Sequence, residues 1–129
     1  MRIPDNTKLY EGELATFWFE ENGILYAYGK DVERTLEKQR KNFEFIRQIS
    51  GNKKVCLLSN ATSAKLHDEE TTKYIDGEMP KLFKAMAVVS ESALGKVNTA
   101  VYKNLNTPSI PIDIFATEED AKKWLKQFL

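Results

Sequence analysis

Cysteine and histidine are nearly absent from the chain: Cys56 and His67 are the only ones. A lone cysteine closes no intramolecular disulfide. A zinc site of cysteine and histidine ligands needs several such residues, so one chain cannot build it. Net charge is missing too. Nineteen Lys plus Arg balance nineteen Asp plus Glu, whereas a nucleic-acid binder usually carries a basic excess. No nucleic-acid partner is expected. No apolar run approaches the ~20 residues of a membrane-crossing helix. The opening MRIPDNTKLYEGE has no apolar stretch of the kind a secretory signal carries. A cytoplasmic protein without a membrane span is the expectation. Repeats, linkers and low-complexity segments are also lacking.

What is there suits one globular domain over residues 1–129. The chain has 129 residues, 42% of them hydrophobic and 29% charged, an ordinary balance for a folded domain. A chain of this length buries roughly two thirds of its unfolded surface, so its core needs no disulfide, metal or cofactor to close it.

Residues 1–12 read as an irregular N-terminal segment. Two β-rich runs follow, 14–20 and 24–28, around Glu21-Asn22-Gly23. Asn-Gly is a strong hairpin signal, because a type I′ turn needs positive φ at both central residues. Asp31 to Ser50 is predicted helical, with Asp31 as N-cap, an apolar stripe of Val32, Leu36, Phe43, Ile46 and Ile49, and Gly51-Asn52 as a left-handed stop. The short apolar run Val55 to Leu58 suits a strand buried on both faces. Residues 68–76 read as a helix that Gly77 and Pro80 interrupt, with a further turn from Pro80 to Lys84. Ala85 to Val89 is the next strand, Ser90 to Leu105 the next helix and Ile110 to Phe115 the last strand. Thr117 caps a final helix whose buried face is Ala121, Trp124, Leu125 and Phe128. The order β-β-α-β-α-β-α-β-α predicts an α/β fold: a five-stranded, mostly parallel mixed sheet with an N-terminal hairpin and about four helices. Phe17, Trp18 and Phe19 are consecutive and point to both faces of the hairpin. Each face is therefore expected to be covered, by a helix or by a second copy.

Motifs that carry chemistry are incomplete. In AVVSESALGKV, Gly95-Lys96 matches part of a phosphate-binding loop. Ser90 stands where the first glycine belongs, and Val97 replaces the hydroxyl that binds magnesium. What remains is a candidate anion site at Ser90 and Ser92, both at a predicted helix N-terminus, where either also serves as N-cap. His67 beside Asp68 has acid–base chemistry to offer, but no nucleophile is placed near it unless Cys56 approaches in space, and Cys56 sits in an apolar run where thiols are usually inert. Trp18, Tyr26 and Phe83 are candidates for an apolar ligand pocket or an interface.

The element order over residues 14 to 129, with AMAVVSESALGKV and NLNTPSIPIDIFATEEDAKKWL, resembles the STAS domains, in their divergent SpoIIAA-like bacterial branch. The closing signature is Phe115, Thr117, Ala121, Trp124 and Leu125, which are packing and capping positions. The resemblance implies a non-enzymatic regulatory or protein-interaction module, self-associating as a homodimer. Members that act as phosphoswitches carry an Asp-Ser-Ser-Gly segment after the central strand. Here that place holds Ser59-Asn60-Ala61-Thr62-Ser63-Ala64-Lys65-Leu66, with Lys65 and Leu66 where the Asp-Ser pair would stand, so the switch does not carry over. Ser59, Asn60, Thr62, Ser63, Lys65 and His67 form the expected interaction surface for a protein partner, although the hydroxyls there equally serve the backbone of a turn. The alternative is a small apolar ligand or lipid, since the architecture is also similar to the longer CRAL-TRIO domains. An enzyme using His67 with Asp68 or Cys56 is a third reading.

Overall fold

The computed structural model describes residues 2–60, 68–90 and 109–129. Among these residues six strands lie in one sheet in strict sequence order: β1 (Tyr10–Glu11), β2 (Ala15–Phe19), β3 (Leu25–Gly29), β4 (Val55–Asn60), β5 (Phe83–Val89) and β6 (Ile112–Phe115). The first three form an antiparallel meander, and β3 through β6 run parallel. The mixed α/β sheet is as predicted, with six strands rather than five. The extra strand, β1, lies within the segment read as irregular. It is two residues long, too short to show an alternation, and it is held from outside: the Lys30 ammonium reaches both the Glu11 carboxylate at 3.0 Å and the Gly12 carbonyl at 2.8 Å.

The hairpin forms where Asn-Gly predicts it, with a different turn. Among its loop residues only Gly23 has positive φ, at 88°. The Gly23 N–H donates to the Glu20 carbonyl and the Glu20 N–H to the Ile24 carbonyl. Glu21, Asn22 and Gly23 therefore make a three-residue loop that needs one left-handed residue rather than two.

Three α-helices are present among the described residues: α1 (Leu36–Ile49), α2 (Glu69–Leu82) and α3 (Glu118–Leu125). The fourth predicted helix, from Ser90 to Leu105, falls on 91–108, outside the described residues. Helix α1 starts five residues after the predicted Asp31. Its N-cap is Thr35, whose hydroxyl accepts from the Lys38 N–H. Before it, the Arg34 guanidinium donates to the carbonyls of Leu14 and Lys30. That holds the incoming chain against the sheet and leaves Val32 exposed rather than on the buried stripe. The helix stops at Gly51 and Asn52, both left-handed, at φ 63° and 61°.

Helix α2 does not break at Gly77 or Pro80; it runs through both. Proline removes the N–H that would bond the carbonyl four residues back, Asp76. The Ser109 hydroxyl supplies a donor to that carbonyl, at 3.0 Å. Phe83, expected in a short further turn, opens β5 instead.

The sheet separates two apolar layers. Phe43 and Ile46 of α1 and Met79 and Leu82 of α2 pack on one face, over Phe17, Leu25 and Leu57. Ala121 and Leu125 of α3 pack on the other, over Tyr26, Leu58 and Ala87. Consecutive Phe17 and Trp18 enter opposite layers, at 1% and 2% exposure. Each contributes on the order of 1.5–3 kcal/mol of burial, so helices of the same chain supply the cover that the aromatic run requires.

Candidate functional site

In an open parallel sheet the groups beyond the carboxyl ends of the strands are the usual place for recognition, because each strand ends there in a loop. Here β3, β4, β5 and β6 end at Gly29, Asn60, Val89 and Phe115. Asn60 is half-buried. Its Oδ1 accepts from the Gly29 N–H at 2.7 Å, joining the ends of β3 and β4. The Ser59 hydroxyl donates to the Asn60 carbonyl at 3.1 Å. Ser90 is buried, and its N–H donates to the Phe115 carbonyl at 3.0 Å, closing β5 onto β6. Ser59, Asn60 and Ser90 thus share one rim, although the sequence suggested two separate sites for them. Thr62, Ser63, Lys65, His67 and Ser92 lie outside the described residues, as does Gly95-Lys96. Asp68, offered as a partner for His67, caps α2: its Oδ1 accepts from the Thr71 N–H at 2.7 Å.

The three candidate pocket residues are not neighbours. Trp18 and Tyr26 are register partners on the α3 face, with rings 5.4 Å apart. Phe83 is in the layer beneath α1 and α2. All three are sealed, at 2%, 0% and 2% exposure. The Tyr26 hydroxyl lies against the Glu118 carboxylate without a close hydrogen bond among the described residues. Burial, with the Glu118 and Glu20 carboxylates nearby, pushes its ionisation far up, so it stays a neutral phenol.

Sequence reasoning missed a groove beside Trp18. It has a volume of about 430 Å³ and lies between the N-terminal segment, contributing Arg2 and Asp5, and a wall of Trp18, Glu20 and Glu118. The Lys122 ammonium stands 3.8 Å from Glu20 and 5.7 Å from the Tyr26 ring centroid. No local pattern marks the groove, since its carboxylates come from three distant stretches of chain.

Cys56 is buried, with its thiol 4.0 Å from the Leu125 carbonyl. Burial pushes the thiol's ionisation up, and Lys84 offsets this only in part. It is packed, not poised as a nucleophile. Among the described residues no group of three or more His, Cys, Asp or Glu side chains converges as metal ligands would. None of the helices among these residues is long and apolar enough to cross a membrane.

No curated protein and no solved structure matches the chain. A family does: its description, Domain of unknown function (DUF7793), matches residues 17–129, from the hairpin to the last residue. The chain belongs to that family.

Proposed function

We propose that the chain is a non-enzymatic regulatory or protein-interaction module of STAS-like type, which engages a protein partner through the carboxyl-end rim of its parallel strands. The observation that carries this reading is the Asn60 clamp. By fixing Gly29 against β4, it makes the rim a rigid platform of polar groups with Ser59 half-buried beside it. A rigid scaffold presenting loops is the common design of a recognition surface. The neutral phenol of Tyr26 and the sealed thiol of Cys56 support recognition over catalysis. A small apolar ligand or lipid has less support, because the sheet divides Phe83 from Trp18 and Tyr26.

The test is a comparison of affinity captures from the native cell. The baits are the unaltered chain, Ser59→Arg, and Lys54→Glu, a change just before the opposite end of β4. A partner retained by Lys54→Glu and lost with Ser59→Arg supports the rim. A partner held equally by all three baits, or none held by any, overturns it.

A further inference from the structure

We infer that residues Arg2 to Glu11 form a strap, hinged at Gly12, that opens as a unit from the edge of the sheet while the sheet beneath stays folded. The inference is independent of the rim. Among the described residues, none from Arg2 to Leu9 makes a hydrogen bond or an ion pair. Ile3 and Leu9 leave their apolar side chains exposed. The groove of about 430 Å³ lies between the start of the segment and the wall of Trp18, Glu20 and Glu118, so the segment is not packed down onto that wall. Few buried apolar contacts and an unbonded backbone are the marks of a segment that opens locally.

The strap is held only where it meets β2. Successive residues of β2 turn their main chain to opposite neighbours. The Leu14 carbonyl accepts from the Lys30 N–H, and the Glu20 N–H donates to the Ile24 carbonyl. The even-numbered residues therefore bond β3, and Ala15, Phe17 and Phe19 face outward. Tyr10 stands in register with Phe17, and the Gly12 N–H donates to the Ala15 carbonyl at 2.9 Å. No described residue bonds the outward main chain of Phe19. Glu11 is the latch: its carboxylate meets the Lys30 ammonium at 3.0 Å and the Thr16 hydroxyl at 3.1 Å. Both latch side chains are partly exposed, and such an ion pair holds weakly. Strand β3, by contrast, pairs with β2 over its whole length, from Ala15 to Phe19. The strap can thus lift without taking β2 with it. An uncovered sheet edge is a template for unwanted pairing, so the strap is a movable guard on the edge of β2.

The experiment is amide hydrogen exchange of the full chain, followed by nuclear magnetic resonance where exchange reads the opening equilibrium. The Tyr10 and Phe17 amides face each other across the strap boundary, and the Trp18 amide faces β3. Tyr10 and Phe17 should share one protection factor, about 10²-fold or more below that of Trp18. Lys30→Met releases the latch and should lower both about three-fold or more, with Trp18 unchanged. A reversible lock supplies the converse. Glu11 and Thr16 are register partners in a non-hydrogen-bonded pair, with Cα atoms about 4.5 Å apart in that geometry, a span a disulfide bridges. In the oxidised Glu11→Cys, Thr16→Cys chain, Phe17 should come within about ten-fold of Trp18, and reduction should undo this. Equal protection of Phe17 and Trp18 in the unaltered chain overturns the inference. So does a lock that leaves Phe17 exchanging as before, or a Lys30→Met chain in which Trp18 loosens as much as Phe17, which would make the opening global.

Discussion

The Ser109 hydroxyl donates to the main-chain carbonyl of Asp76, which is the carbonyl whose helical donor Pro80 removes. The two residues are 33 apart in sequence. A proline inside a helix ordinarily costs ~3 kcal/mol through the lost bond and the ring's clash with the carbonyl four residues back. A hydroxyl arriving from another part of the chain offsets the first of these. Helix α2 can then continue to Leu82, which with Met79 packs into the core.

A double-mutant cycle follows from this relationship. Ser109→Ala should cost about 0.5–1 kcal/mol in the unaltered chain, the net worth of an exposed hydrogen bond. In a Pro80→Ala background the restored N–H takes over the carbonyl, and the same change should cost close to nothing. Urea denaturation of the four proteins measures the coupling. Equal costs in both backgrounds would show that Ser109 does not compensate for the proline.

This pair also shows where the sequence was legible and where it was not. The hairpin, the Gly51-Asn52 stop, the double-sided β4 and the Thr117 cap all have their causes within a few residues, and each was read in its right place, the hairpin with the wrong turn type. Strand β1, the start of α1 and the continuity of α2 have their causes elsewhere. Lys30 holds Glu11, Arg34 holds Leu14, and Ser109 serves Asp76. The same division runs through the sites. Ser59, Asn60 and Ser90 were visible as polar residues ending apolar runs. The groove was not, because Asp5, Glu20 and Glu118 share no local pattern.

Glu11 should report pH through its contact with Lys30. The Lys30 ammonium, then the Thr16 hydroxyl, hold the Glu11 carboxyl below its ordinary ionisation range. The folded chain therefore keeps this carboxylate charged at a pH where the unfolded chain has protonated it. The stabilisation from this contact is present above the unfolded value and is lost as pH falls through the folded one. A carboxyl titration by nuclear magnetic resonance should place Glu11 below a free glutamate, and Lys30→Met should move it up. An unmoved midpoint would mean that the ion pair is not held in solution.

Cys56 should label only through unfolding. Its thiol is buried, and burial disfavours the reactive thiolate. Under native conditions a disulfide reagent should react about 10³-fold or more slowly than with the chain in denaturant, in keeping with a typical domain stability. Cys56→Ser places a hydroxyl where only a distant carbonyl faces it and should cost about 1–3 kcal/mol. Prompt native labelling would show that α3 lifts from the sheet without global unfolding.

The start of α1 separates two assignments by mutation. If Asp31 were the N-cap, Asp31→Ala would cost about 1 kcal/mol, and Thr35→Ala would fall inside the helix with little effect. The structure requires the reverse, since the Thr35 hydroxyl accepts from the Lys38 N–H while Asp31 is exposed. Arg34 adds a second requirement. Its half-buried guanidinium bonds the Leu14 and Lys30 carbonyls, and burial lowers its ionisation without discharging it. Each carbonyl also accepts a main-chain N–H, from Lys30 and Val32 respectively, so Arg34→Met leaves neither fully orphaned and should cost about 1–2 kcal/mol. Arg34→Lys should recover only part of that, because a single ammonium lacks the planar fork. Thermal denaturation of Asp31→Ala, Thr35→Ala, Arg34→Met and Arg34→Lys ranks the four. A large loss for Asp31→Ala with none for Thr35→Ala would return the helix start to Asp31 and detach Arg34 from the entry to α1.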